Sequence, residues 1–385
     1  MKMIRKILSY VLVAALASAV SFAIAAQNRP QAPVPGKLEQ LESLIQERFI
    51  GEVDTVAMED AAARAMVDSL GDQWSHYMSA KEFTDYKEQM NNAYVGIGIT
   101  ILAEEGKEGF EIIRVEPNGP AQEAGLQMGD ILTGAEGINF KGKTSSEAGA
   151  IIKGEEGTTV RVNVLRNGRT MEFTVERRQI QVQVARGEML TGDTGLVTIV
   201  NFDSRCSDET LAAIESLLDQ GAEKIIFDVR NNPGGYKDEL VKILDYLLPE
   251  GPLFRSESYT GKITVDESDR DCLDIPMAVL VNGNSYSAAE FFAAALSEYD
   301  AAVVVGTQTS GKGYYQNTFE LKDGSAVGLS VGKYSTPNGV NLAGVGITPD
   351  VVVEVDEETF AMIYNSLLPA TEDPQITAAL EALGK

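Results

Sequence analysis

Residues 275–299 read IPMAVLVNGNSYSAAEFFAAALSEY, and the run 277–281 is apolar at every position. A strand covered on both faces reads as such an unbroken run, whereas a half-exposed one alternates. After a Gly-containing turn, Ser287-Ala288-Ala289-Glu290 fits a capping box, in which a serine hydroxyl and a glutamate three residues on satisfy the free amides of a helix start. The spacing predicts a helix over 288–299. A buried strand running straight into a helix is the unit of a parallel α/β sheet. The turn also holds two serines, Ser285 and Ser287. A hydroxyl there can cap the helix, or act chemically beside the amide of Ala288 and the positive end of the helix dipole. The turn alone does not choose between these roles.

Further apolar runs repeat the unit. TGLVTIVNF, KIIFDVR and AAVVVG alternate with helical patterns over 207–220 and 237–248, so residues 179–355 are expected to form an α/β core. FDVRNNPGGY (227–236) runs a strand into a Pro-Gly-Gly turn, and Gly234 and Gly235 allow backbone amides to face a pocket, as an oxyanion hole requires. GTQTSGKGYYQ (306–316) sets Lys312 between two glycines, with Gln316 four residues later. The segment GLSVGKYSTPNGVNLAGVGITPDVVVEV (328–355) is β-rich and turn-rich, and an acidic helical tail follows over 356–385.

The front of the chain has other textures. Lys2, Arg5 and Lys6 precede an uncharged stretch over 7–26, the pattern of a signal peptide or signal anchor, which places the rest of the chain outside the cytoplasm. A Pro-rich linker over 27–36 leads to a helical region over 37–92, where Leu38, Leu41, Leu44, Ile45 and Phe49 share one face and a second helix is expected over 56–70. His76 lies in the break after that helix and reads as a loop or packing residue. Residues 93–178 are rich in short strands and glycines, with one small helix around 145–152.

Composition narrows the function classes. The net charge of −25 argues against a nucleic-acid partner, whose phosphates need a basic surface. One histidine makes a His-based metal site improbable, and no cofactor motif is present. Two cysteines, Cys206 and Cys272, are too few for a disulfide scaffold, and geometry alone decides whether they pair.

Taken together, the motifs carry a resemblance. Residues 93–178, with GIGI at 96–99, VEPNGPAQEAGLQMGDIL at 115–132 and LRNGRTMEFTV near the end, resemble a PDZ domain. The spacing 312 − 287 = 25, the glutamine four residues after the lysine, SHYMS near the front and STPNGVNLAGVGITPDV near the end are similar to the C-terminal processing peptidases, or tail-specific proteases. These are serine peptidases with a Ser-Lys dyad, and the resemblance implies a multi-domain α/β and β fold with a protease core of crotonase-like type. It implies Ser287 as nucleophile, Lys312 as general base, Gln316 as the residue orienting it, and an oxyanion hole from Ala288 with Gly234 or Gly235. It also implies that the loop Val95, Gly96, Ile97, Gly98, Ile99 captures the C-terminus of a protein or peptide substrate. Ser285 matches a non-nucleophilic serine. Two positions depart from the pattern: Tyr286 stands where a small residue is usual, and Ser310 where an aromatic is common.

The chemistry agrees with the resemblance. A serine hydroxyl needs an adjacent base, and a lysine serves only when neutral, so burial must lower its pKa from about 10.4. A glutamine can orient the amine without a charge that would stabilise the ammonium. A further expectation is that the PDZ domain gates the catalytic site until a tail binds, and that a single N-terminal anchor and self-association are open to the chain. The alternative is a PDZ-bearing extracytoplasmic adaptor whose protease core has lost activity.

Overall fold

The computed structural model describes residues 36–90, 93–103, 109–190 and 192–384; the expected export segment and nearly all of the linker lie outside them. The chain divides into two units, 1–63 and 64–385. In the first, helix Lys37–Arg48 forms as expected from its stripe, yet Leu38, Leu41 and Leu44 are all exposed. Helix Thr55–Asp68 begins in the first unit and ends in the second.

The second unit is built around a six-stranded sheet. Strands Thr194–Ile199, Lys224–Asp228, Met277–Val281, Ala302–Gly306 and Val351–Val352 run parallel in that order, and Ala185–Met189 adds an antiparallel edge. Alternation along the strands explains why their sequences are apolar throughout. Val197, Phe227, Val279 and Val281 face one layer, packed by helices Cys206–Asp219, Lys237–Leu247 and Ala288–Glu298. Leu196, Ile226, Ala278 and Leu280 face the other, where Ile376 and Ala379 of helix Pro374–Leu383 close the core. With both faces covered, each central side chain contributes on the order of 1.5–3 kcal/mol of burial. Within the acidic tail expected over 356–385, helix Pro374–Leu383 is therefore a layer of the core, whereas helix Glu357–Tyr364 buries no residue.

The PDZ portion has its own sheet and core. Strands Ile99–Ala103, Phe110–Val115, Ile131–Ala135, Thr159–Arg166 and Arg169–Glu176 form one antiparallel sheet around Phe110, Ile112, Leu132, Val162 and Val164. Thr144 caps helix Ser145–Ile152 in a full capping box with Glu147. Strands Ala93–Gly96 and Arg178–Gln181, which lead in and out, pair with each other and make a two-stranded neck.

A further sheet corrects the helical reading of residues 37–92. His76–Met78 is a strand, paired antiparallel with Ala326–Gly328 at the start of strand Ala326–Ser335. That pairing spans some 250 positions of sequence, so no local pattern could reveal it. The same sheet includes the hairpin of Gly251–Ser258 and Ile263–Ser268, and strand Tyr314–Glu320. His76 itself is exposed, its Nδ1 lying 3.0 Å from the Trp74 carbonyl oxygen. Cys206 is buried, Cys272 is exposed, and both are free. Among the described residues no helix is long and apolar enough to cross a membrane, and no cluster of His, Cys, Asp or Glu could hold a metal.

One ion-pair network joins the C-terminal layer to the sheet. The Arg230 side chain is 4% exposed and donates to Asp228 at 2.6 Å, Asp373 at 2.8 Å and Gln375 at 2.9 Å. Removing one partner of a buried pair leaves uncompensated charge, which costs about 3–5 kcal/mol. Arg230→Ala is therefore expected to lower the unfolding free energy by about that amount, read from the urea midpoint.

Candidate active site

The C-terminal ends of the parallel strands Lys224–Asp228 and Met277–Val281 converge on the turn quoted at the outset, at one end of the sheet. Ser285 is fully buried there. Its hydroxyl donates to the Val229 carbonyl at 2.7 Å and accepts from the Asn282 amide at 3.0 Å, so it staples the turn to the neighbouring strand end. Ser287 is half-buried and has φ 59°, ψ −124°. Positive φ in a non-glycine residue costs on the order of 1–3 kcal/mol and persists only where its surroundings force it.

Gly234 faces this turn, and its neighbour Gly235 packs against the Phe202 backbone. A Cβ at Gly234 would fall 2.7 Å from the Ser287 Cβ and 2.8 Å from the Ala288 nitrogen, and one at Gly235 would fall 2.2 Å from the Phe202 carbonyl oxygen. Their φ values, 86° and 154°, also exclude other residues. The Gly234 amide donates to Asn232 Oδ1 at 2.8 Å, and Asn232 in turn reaches the Ile199 carbonyl at 2.8 Å. Among the described residues neither the Gly235 amide nor the Ala288 amide has a partner. Both remain able to donate.

Glu290, one turn into the helix, is completely buried. One of its oxygens accepts from the Thr309 hydroxyl and the Gly311 amide, each at 2.6 Å. The other accepts from the Ser287 amide at 3.2 Å and the Lys312 amide at 2.9 Å. A single carboxylate thus ties the serine turn to the lysine loop. That loop is also held from the far side, where Asn341 donates to the Gly313 carbonyl at 2.9 Å and the Gly344 amide donates to that of Gly311 at 2.8 Å. Tyr334 completes the link: its hydroxyl donates to the Lys312 carbonyl and lies against the Ser287 hydroxyl. Burial pushes the Tyr334 phenol above its ordinary range, and the Glu290 charge adds to this.

The Lys312 amine makes no hydrogen bond among the described residues. It sits over the Trp74 ring, 4.8 Å from its centroid, and 5.9 Å from that of Tyr286. Burial pushes its pKa below the ordinary lysine value, while the carboxylates of Glu290 and Asp72 pull the other way and lose. Asp72 itself is opposed by burial, but hydrogen bonds from the Ser75 and Ser330 side chains and from the Trp74 and Ser75 amides keep it below the usual carboxylate range.

Not every expected residue joins this group. Gln316 does not reach the amine; its Nε2 donates to the Tyr314 carbonyl at 3.2 Å and the Ser330 hydroxyl at 3.1 Å. It lies in strand Tyr314–Glu320 just past a register shift between Tyr315 and Gln316, so a four-residue spacing does not bring it back to the lysine. Ser310 is exposed and meets the site only through its amide, which donates to the Ser285 carbonyl at 3.3 Å. In the PDZ portion, Val95 and Gly96 belong to the neck, opposite Gln179 and Arg178. The loop proper is Ile97-Gly98, whose carbonyls accept from the Ala121 and Glu116 amides, before strand Ile99–Ala103 begins. Trp74, Asp72, Glu290 and Tyr334 were not legible as site residues. Glu290 showed only its helix-cap signature, and the lone tryptophan in a loop was the one other cue.

Glu290→Gln keeps the shape but turns one acceptor into an NH₂ group facing backbone N–H donors. Each buried donor left unsatisfied costs about 1–3 kcal/mol. The variant is expected to lose about 2–4 kcal/mol of unfolding free energy, measured by denaturant titration, with Glu290→Ala losing at least as much.

Comparison with known proteins agrees with this architecture. Residues 193–353 match the family model described as peptidase family S41, and residues 95–176 match a PDZ domain. A protein of Staphylococcus saprophyticus named "Probable CtpA-like serine protease" is 32% identical over 333 residues, covering 85% of this chain and 67% of that protein. A protein of the same name from Staphylococcus aureus is 32% identical over 324 residues, covering 83% of this chain and 64% of its own, so the chain spans about two thirds of these relatives. Among solved structures, an S41-type protease of Bacteroides fragilis superposes with a TM-score of 0.59 at 17% identity, over 90% of this chain and 97% of that one, a likeness of fold. The chain belongs to peptidase family S41, the family of the C-terminal processing peptidases, with a PDZ domain set ahead of its protease core.

Proposed function

We propose that this protein is an extracytoplasmic serine endopeptidase that cleaves protein substrates near their C-termini through an acyl-enzyme, with Ser287 as nucleophile and Lys312 as general base. The observation that carries the reading is the strained Ser287 at a helix start, tied through one buried carboxylate to a lysine whose amine is desolvated and unpaired.

Lys312, neutral once the pH exceeds its lowered pKa, takes the proton as the Ser287 oxygen attacks the scissile carbonyl. Negative charge develops on the carbonyl oxygen beside the Ala288 and Gly235 amides. Gly235 is preferred over Gly234 because the Gly234 amide already serves Asn232. Lys312 then protonates the leaving amine, and water releases the acyl group by the same route in reverse. The role for Gln316 that the family resemblance implies would require it to leave Ser330 for the amine. The PDZ loop Ile97-Gly98 and strand Ile99–Ala103 capture the substrate's carboxylate and add its tail as a strand. The charged, apolar start of the chain directs export.

The test is cleavage of an unstructured peptide with a free apolar C-terminus. Ser287→Ala and Lys312→Ala are each expected to reduce kcat by about a thousandfold or more. In the wild type, kcat/KM is expected to rise with pH through an ionisation below the ordinary lysine value, because burial lowers the pKa of the base. Amidating the peptide's C-terminus is expected to raise KM more than it lowers kcat. Full activity in Lys312→Ala contradicts the dyad, and absence of cleavage in every protein favours the adaptor reading.

A further inference from the structure

We propose that Trp74 and Tyr286 form an aromatic cradle that positions the amine of Lys312, so that the base is held by ring faces and not by a hydrogen-bonding partner. The proposal rests on the reading of Lys312 as general base. Its geometry is independent of that reading: the amine lies 4.8 Å and 5.9 Å from the two ring centroids, and the rings lie 6.3 Å apart at 32°. Both rings are half-buried.

The tryptophan is anchored from two sides. Its amide donates to Asp72 at 3.3 Å, Asp72 accepts from the Ser75 hydroxyl at 2.6 Å, and that hydroxyl accepts from the Ser330 amide at 3.0 Å on strand Ala326–Ser335. Strand His76–Met78 then fixes the segment to the same strand. Tyr286 precedes the nucleophile, and it is the residue that departs from the small side chain usual in the family.

A cradle of this kind solves a difficulty in using lysine as a base. The rings add to the burial around the amine, and burial favours the neutral form needed before attack. Once the amine takes the serine proton, the ring faces receive the ammonium through cation–π contact. A carboxylate in direct contact would instead keep the proton bound at rest. The charged and titratable groups facing Lys312 are Glu290 from the helix, Asp72 from the tryptophan segment, Tyr286 from the turn and Tyr334 from strand Ala326–Ser335. Glu290 and Tyr334 meet it through its backbone.

The test follows acylation of the full chain by a fluorophosphonate across pH, in wild type, Trp74→Phe, Trp74→Met, Tyr286→Ala and Lys312→Ala. Methionine fills most of the space without a ring face. Trp74→Met is expected to slow acylation about tenfold and to move the pH midpoint down by about one unit, because the ammonium loses its ring contact. Trp74→Phe is expected to restore most of both. Tyr286→Ala, at the longer distance, is expected to shift the midpoint less. If Lys312→Ala is dead while Trp74→Met keeps the wild-type rate and midpoint, the cradle is overturned and the base stands. A slower rate with an unmoved midpoint and no rescue by phenylalanine assigns Trp74 a merely structural role and also overturns it. If Lys312→Ala acylates with the wild-type pH profile, base and cradle fall together.

Discussion

A carboxylate buried without a salt-bridge partner survives only if hydrogen bonds replace its water, and Glu290 collects four of them. Two come from the segment Thr309–Gly311, one from Lys312 and one from Ser287. The requirement to satisfy this one charge therefore fixes two stretches of chain that are separated in sequence. The Ser310 amide on the Ser285 carbonyl and the Tyr334 hydroxyl on the Lys312 carbonyl add to this tie between the serine turn and the lysine loop. The parallel sheet supplies the platform: its strand ends bring the Pro-Gly-Gly turn and the serine turn together, and Ser285 and Asn232 lock them in place.

The same carboxylate sets an electrostatic problem that the rest of the site resolves. Glu290 and Asp72 both favour the charged form of Lys312, yet burial outweighs them. Part of their charge is already committed. Glu290 serves backbone and hydroxyl donors, and Asp72 serves Ser75, Ser330 and the Trp74 amide. The amine itself lies over the Trp74 ring and near that of Tyr286. Burial thus outweighs two nearby carboxylates at the Lys312 amine.

Much of this was legible in the sequence, for physical reasons that also explain the gaps. Strands such as MAVLV and KIIFD are buried on both faces and so declare themselves as apolar runs, and the capping signature at Ser287 placed the helix within a residue. The PDZ domain showed through its glycines and turns. What stayed hidden depends on long-range pairing. His76–Met78 looks like a break between helices because its partner strand begins at Ala326. For the same reason Trp74 gave no sign of meeting Lys312. Gln316, which the family resemblance implies as the residue orienting Lys312, lies just past a register shift in its strand, and its side chain donates to Tyr314 and Ser330. Glu290 was visible only as a cap because its other three donors lie about twenty residues downstream.

The central claim is that Ser287, and not its neighbour, is the nucleophile that this framework builds. It is tested most directly by labelling the intact protein with a fluorophosphonate and mapping the adduct by peptide mass spectrometry. The account predicts a single adduct on Ser287, with none on Ser285, whose hydroxyl is committed to Val229 and Asn282. An adduct on Ser285 or on any serine outside this turn, or no adduct at a pH where Lys312 is neutral, would contradict it.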